Sequence, residues 1–224
     1  DSGSPVDRFV SVFIAACGRE GSPLVYVSFN RSPQTISGTY RHLMPAGRFW
    51  LVDCFSAGKG NSDEMFLGFY GSAASSPPFR AILVEKPADP ACLHEVLLKV
   101  SSAGNASARY VFDSLTGMLS LWREEDVVLR FFGHLCPRLY DLNTIAYWLL
   151  EREAHSQSAL AKVQHITQVV LEFGVPQGVP TLTVRKAANR RCKDVGVPQR
   201  ILVQDGRPSV AVESREDREL GLLT

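Results

Sequence analysis

The sequence predicts an α/β fold: a mainly parallel, twisted sheet with helices on both faces and an antiparallel flank toward the C-terminus. Three observations carry this. Short apolar runs rich in β-formers alternate with amphipathic helical stretches as far as residue 173. Those runs are apolar throughout rather than at every second residue, as in strands covered on both faces. After residue 173 the strand-like segments follow one another directly, with Gly and Pro turns between them.

The elements follow in chain order. Val6, Phe9, Val10, Phe13, Ile14 and Cys17 make a helical stripe over residues 6 to about 18, stopped by Gly18 and Gly21. Leu24 to Phe29 reads as a buried strand. Residues 33 to 43 read as a helix, with Ser32 as its N-cap and Pro33 in its first turn. Phe49 to Phe55 is a second strand. Residues 56 to 78, rich in Gly, Ser and Ala and ending in Pro77-Pro78, read as a long connection. Ala91 to Ser102 is a helix with Leu93, Val96, Leu97 and Val100 on one face, and Tyr110 to Ser114 is a strand. Glu124 to Leu142 is a long amphipathic helix that Pro137 is expected to kink or break. Thr144–Leu150 is a strand and Ser158–Thr167 a short helix. Gln168–Phe173, Thr181–Ala187 and Ile201–Val203 are the late strands. The expected organisation is one domain over residues 1–212 and a charged tail over 213–224.

Composition narrows the function classes. The 224 residues are 45% hydrophobic and 21% charged, the range of an ordinary globular domain, and the net charge of +1 gives no global field toward nucleic acid or a membrane. No apolar run reaches the ~18 residues of a membrane span, and no signal peptide opens the sequence. Cys17, Cys54, Cys92, Cys136 and Cys192 form no CxxC pair, so a zinc site is disfavoured and free thiols in a reducing cytoplasm are expected. His42, His94, His134, His155 and His165 lack ligand spacing and read as surface or satisfied polar residues. Gly58-Lys59-Gly60 follows a strand, but a phosphate loop requires glycine where Cys54 stands and Ser or Thr where Gly60 stands.

In parallel sheets ligands bind beyond the carboxyl ends of strands, so the residues there are the candidate site. Three segments resemble the KaiC family of RecA-like ATPases. They are Tyr26-Val27-Ser28-Phe29-Asn30-Arg31-Ser32-Pro33, then Tyr110-Val111-Phe112-Asp113-Ser114-Leu115, then Thr181-Leu182-Thr183-Val184-Arg185-Lys186. Family members typically show the first as YVSF, two glutamates and Ser-Pro. The second is similar to a Walker B strand with its terminal aspartate, and the third to the late strand leading into a Lys-Met-Arg cluster. Order and spacing agree across nearly the whole chain.

The resemblance implies ATP and Mg²⁺ as cofactors, yet the residues depart from it at several places. Laid on the family's Gly-Ser-Gly-Lys-Thr loop, this chain gives Gly3, Ser4, Pro5, Val6 and Asp7. Pro5 removes a backbone donor. Val6 stands where a cation would meet phosphate, and Asp7 puts negative charge where a hydroxyl would hold Mg²⁺. A domain seldom starts inside such a loop, so a first strand is expected upstream of residue 1. Asn30 and Arg31 occupy the positions of the catalytic glutamates, and neither is a base near neutral pH. Asp113 is retained as the one carboxylate able to face Mg²⁺ if the metal binds at all. Lys186, the expected inter-subunit or phosphate contact, is followed by Ala187 and Ala188, so the cluster's arginine is lost.

Plainer readings stand beside these. Asp113 fits a turn or helix cap, and Asn30 and Arg31 fit an ordinary loop or a new polar contact. The cluster Arg185, Lys186, Arg190, Arg191 and Lys193 fits a solvated turn, or a phosphate, nucleic-acid or subunit patch. The leading expectation is a catalytically degenerate module, a pseudo-ATPase with weakened nucleotide binding. It would act by self-association or by assembly with a related ATPase. A weak ATPase using Arg8, Lys186 or a neighbour's residue is the alternative. A nucleic-acid-binding module using Arg190 and Arg191 is the least favoured.

Overall fold

The computed structural model describes residues 5–43, 47–71, 79–103, 107–189, 191–192, 194–204 and 207–210. The described residues form two compact units, one of residues 5–12 with those described between 167 and 210 and one of those described between 13 and 166.

The larger unit is built on five parallel strands: β1 (Leu24–Ser28), β2 (Phe49–Asp53), β3 (Phe79–Leu83), β4 (Arg109–Asp113) and β5 (Ala146–Trp148). Their order across the sheet is β3-β2-β1-β4-β5. β1, β2 and β3 therefore run outward in one direction, and β4 and β5 in the other. The direction reverses between β1 and β4, where an open α/β sheet offers a crevice. Register places Ser28 opposite both Asp53 and Asp113, so three polar strand ends share one level.

Helices cover both faces because the central strands are buried on both. Val25, Val27, Phe29 and Phe112 pack with Leu93 and Leu97 of α4 (Pro90–Ser102), Met118 of α5 (Leu115–Trp122) and Phe132 and Leu135 of α6 (Glu125–Asp141). Phe112 stacks on Trp148 at 3.8 Å, and Phe132 meets the same indole edge-on at 4.9 Å. On the other face Tyr26 packs against Tyr40 of α2 (Pro33–Tyr40). Phe13, in α1 (Pro5–Glu20), stacks on Tyr147 at 4.1 Å. A four-residue helix, α3 (Glu64–Leu67), and α7 (Gln157–Ile166) complete this unit.

The smaller unit carries an antiparallel sheet, ordered β6-β7-β8-β9. Its strands are Val169–Gly174, Thr181–Ala187, Pro198–Gln204 and Arg207–Val210. Phe9 meets Phe173 edge-on at 4.8 Å within it.

The α/β class, the parallel sheet and the antiparallel flank agree with the sequence. Four details differ. β3 lies beyond the expected connection and was not expected as a strand. α5 was not expected, and β9 adds a fourth flank strand. The long helix runs through Pro137 without a break, because Leu135 and Leu139 on either side are both buried and hold it in register. Cys17, Cys54 and Cys136 are buried free thiols; Cys92 is half-buried and Cys192 exposed. Burial pushes the Cys17 thiol up to about 11. Among the described residues no helix is long and apolar enough to cross a membrane.

Candidate functional site at the carboxyl ends of β1 and β4

The turn after β1 is fixed by its own strand. The Ser28 hydroxyl donates to the Arg31 carbonyl at 2.7 Å, and the Arg31 N–H donates back to Ser28 Oγ at 3.3 Å. Ser32 then caps α2, accepting from the Thr35 N–H, with Pro33 in the first turn as its sequence suggests. This geometry turns the Arg31 side chain back across the sheet.

There it meets Asp113. Arg31 Nε donates to Asp113 Oδ2 at 2.8 Å. One terminal nitrogen of the guanidinium donates to the Tyr26 hydroxyl at 2.7 Å, and the other to Tyr40 Oη at 3.3 Å. The Tyr26 hydroxyl in turn donates to Asp113 Oδ2 at 2.8 Å. The guanidinium lies 5.9 and 5.7 Å from the centroids of the Tyr26 and Tyr40 rings, within cation–π range. Tyr26 and Tyr40 are fully buried, and the Asp113 side chain is 9% exposed. Burial first, and then the Asp113 charge, push the Tyr26 phenol well above its ordinary value. Tyr26 therefore stays a neutral donor.

A second bridge crosses beside the first. Asn30 Nδ2 donates to Ser114 Oγ at 3.0 Å, and Lys59 Nζ donates to Asn30 Oδ1. Ser114 Oγ also accepts the Gly117 N–H, which makes Ser114 the N-cap of α5. Asp113 is thus not the cap; its carboxylate is given to Arg31 and Tyr26. The two loops approach so closely that a Cβ on Gly117 would lie 2.5 Å from Phe29 Cβ and 2.9 Å from Asn30 Oδ1.

One strand away, Asp53 serves the turn after β2. Its Oδ1 accepts the N–H groups of Phe55 and Ser56, and its Oδ2 accepts the Tyr70 hydroxyl at 2.7 Å. Burial and the Asp53 charge raise the Tyr70 phenol in the same way as Tyr26.

Of the residues singled out from the sequence, Asn30, Arg31 and Asp113 come together at this one place. Val6 and Asp7 lie in the first turn of α1, and Lys186 pairs with Val170 in the smaller unit. Gly3, Ser4, Arg190 and Lys193 lie outside the described residues, as does the tail from residue 213. Tyr26, Tyr40, Lys59 and Ser114 were not anticipated. A polar ring in an otherwise aliphatic buried strand was the available signal for Tyr26. Lys59 and Ser114 are marked in the sequence only by their places after β2 and β4, not by what they bond to. Among the described residues no cluster of three or more His, Cys, Asp or Glu side chains could hold a metal ion.

This arrangement belongs to a RecA-like, KaiC-like fold. Over 94% of this chain and 85% of the other, the structure is similar to the KaiC-like protein PH0186 of the hyperthermophilic archaeon Pyrococcus horikoshii, at a TM-score of 0.56 and 16% identity. It is also similar to the uncharacterized protein PH0321 of Pyrococcus horikoshii, solved in complex with an unknown peptide. That match has a TM-score of 0.62 and 15% identity over 96% and 89% of the two chains. Comparison with protein-family models finds no match, and no curated protein matches in sequence.

Proposed function

We propose that this chain is a catalytically degenerate RecA-like module, a pseudo-ATPase that acts by binding a protein partner rather than by hydrolysing ATP. The observation that carries the reading is the Arg31–Asp113 ion pair. In a nucleoside-triphosphatase the strand-end aspartate must be open to a metal ion and its water. Here its Oδ2 accepts from a guanidinium and a phenol, and a fixed positive charge lies beside it. A divalent cation would have to displace that charge from a site only 9% exposed at the carboxylate. The residues present therefore do not suit a metal-bound triphosphate.

The supporting chemistry is consistent. Neither Asn30 nor Arg31 can take a proton from water near neutral pH. Asn30 instead bridges Ser114 and Lys59. Val6 and Asp7 offer phosphate no cation. The crevice at the strand-order reversal, the usual ligand position in such sheets, is crossed by two bridges from the chain itself.

The partner is a second copy of this chain or a related ATPase, in the manner of RecA-like assemblies. A neighbour of the same fold is solved with a peptide bound, which supports polypeptide recognition by this scaffold. The test is a calorimetric titration with ATP and ADP, with and without Mg²⁺, together with mass measurement in solution. The reading expects no Mg²⁺-dependent heat and a mass above that of the monomer, or a rise in mass when a related ATPase is added. A tight Mg²⁺-dependent site overturns it.

A further inference from the structure

α4 and α6 pack into the same core, and each carries a histidine at the margin of its buried stripe. Leu93, Leu97 and Val100 are the core side of α4, and Leu135 and Leu139 that of α6. His94 directly follows Leu93, and His134 directly precedes Leu135. The two imidazoles meet across the helix pair, with ring centroids 5.4 Å apart and planes at 41°. At that tilt they are neither stacked nor edge-to-face. His94 is half-buried and His134 exposed, so solvent reaches the pair. The two residues are far apart in sequence, which is why no ligand spacing announces them.

Two imidazoles this close resist a proton each but can share one cation. Burial first, and then the charges of His134 and Arg138, hold the His94 imidazole below its ordinary value. Near neutral pH it is therefore uncharged, with a lone pair on one ring nitrogen. Imidazoles that share one metal ion, each nitrogen about 2.0–2.1 Å from it, set their ring centres about 4.5–6 Å apart. The separation of His94 and His134 falls in that range. Among the described residues no third His, Cys, Asp or Glu joins the pair, so water would complete the coordination of an ion held there. Imidazole suits nickel, copper and zinc, whereas magnesium and calcium take oxygen ligands. Arg138, one turn beyond His134 on α6, works against a cation at this place, but it is exposed and its charge is screened.

We propose that His94 and His134 form a two-imidazole site for a divalent late first-row transition-metal ion, zinc or nickel, that ties α4 to α6. Each ring gives one nitrogen to the ion, which cross-links two helices joined otherwise through their apolar sides. Because the paired rings exist only in the folded chain, the ion stabilises the fold in proportion to the logarithm of its concentration. The site stands apart from the nucleotide reading. Neither histidine belongs to the Arg31–Asp113 bridge, and Mg²⁺, which seeks oxygen, does not compete for two imidazoles.

The test is calorimetric titration of the full chain with Zn²⁺ and with Ni²⁺ near neutral pH, joined to imidazole nitrogen NMR of the histidine-labelled chain. The expected result is a saturable site for both ions and none for Mg²⁺, with the ring nitrogens of His94 and His134 shifting together as Zn²⁺ is added. His94→Gln and His134→Gln should each weaken that site by at least the roughly 10–100-fold that even an outer-shell change costs. All other donors of the chain remain in both variants, so the difference belongs to the pair. Arg138→Gln should tighten binding, since it removes a like charge. Zn²⁺ should raise the melting temperature of the wild-type chain and not that of either histidine variant. No saturable binding, shifts confined to other histidines, or equal affinity in His94→Gln or His134→Gln overturns the proposal. If a variant does not fold, the ring shifts in the wild-type chain decide.

Discussion

Arg31 and Asp113 are 82 positions apart in sequence, yet Arg31 Nε sits 2.8 Å from Asp113 Oδ2. Parallel pairing of β1 with β4 is what closes that gap, because it sets Ser28 level with Asp113 and leaves only the turn to Arg31 to span. Removing the guanidinium strands a nearly buried carboxylate. Arg31→Ala should therefore cost about 2–4 kcal/mol in urea unfolding. Asp113→Ala should cost less, because the Arg31 side chain is 23% exposed and can turn to water. A double-mutant cycle should return a coupling of about 1–3 kcal/mol; a coupling near zero would mean the pair contributes nothing.

Two glycine substitutions should move stability in opposite directions. Gly117→Ala forces a Cβ to within 2.5 Å of Phe29 Cβ and 2.9 Å of Asn30 Oδ1. It should cost about 1–3 kcal/mol and loosen the Asn30–Ser114 bridge. Gly38→Ala, in α2, meets nothing within 4 Å and should gain about 0.5–1 kcal/mol from reduced freedom of the unfolded chain. Melting temperatures of both variants check the pair.

Alkaline pH should weaken the fold through Tyr26. Burial and the Asp113 charge raise its phenol above the ordinary value of 10.0, so the folded state holds the proton longer than the unfolded chain does. The stability this provides is complete below the ordinary phenol range and is lost as pH climbs from there toward the folded value. Tyr70, Tyr110, Tyr147 and Cys54 are shifted the same way and add to the slope. Urea midpoints measured from about pH 8 to about pH 11 should fall, and less steeply in Tyr26→Phe.

Pro137 lies inside α6, where it denies an N–H to the ladder. Pro137→Ala should stabilise the chain by about 1–3 kcal/mol, read as a higher urea midpoint with an unchanged slope.

Much of the sheet was legible because β1, β2 and β4 are unbroken apolar runs, a pattern that burial on both faces demands. β3 was not. Its five residues begin directly after Pro77-Pro78 and include Arg80, which lies over the Trp50 ring instead of interrupting the strand. β9 was missed because Arg207–Val210 is too short and polar to show a period. At the site, Asn30, Arg31 and Asp113 were visible as strand-end residues, but not their bonding to one another. That bonding is a product of register, and register is a tertiary fact. The same holds for His155, which the sequence marks only as a surface or satisfied polar residue. Its partners Thr116 and Glu125 come from α5 and α6.

The central claim is that the strand-end carboxylate of this RecA-like module is committed to Arg31 and drives no hydrolysis. Steady-state phosphate release from ATP with Mg²⁺, by the purified chain and by Asp113→Ala side by side, tests it most directly. The account predicts equal, background release from both. Sustained turnover by the wild-type chain that disappears in Asp113→Ala would contradict it.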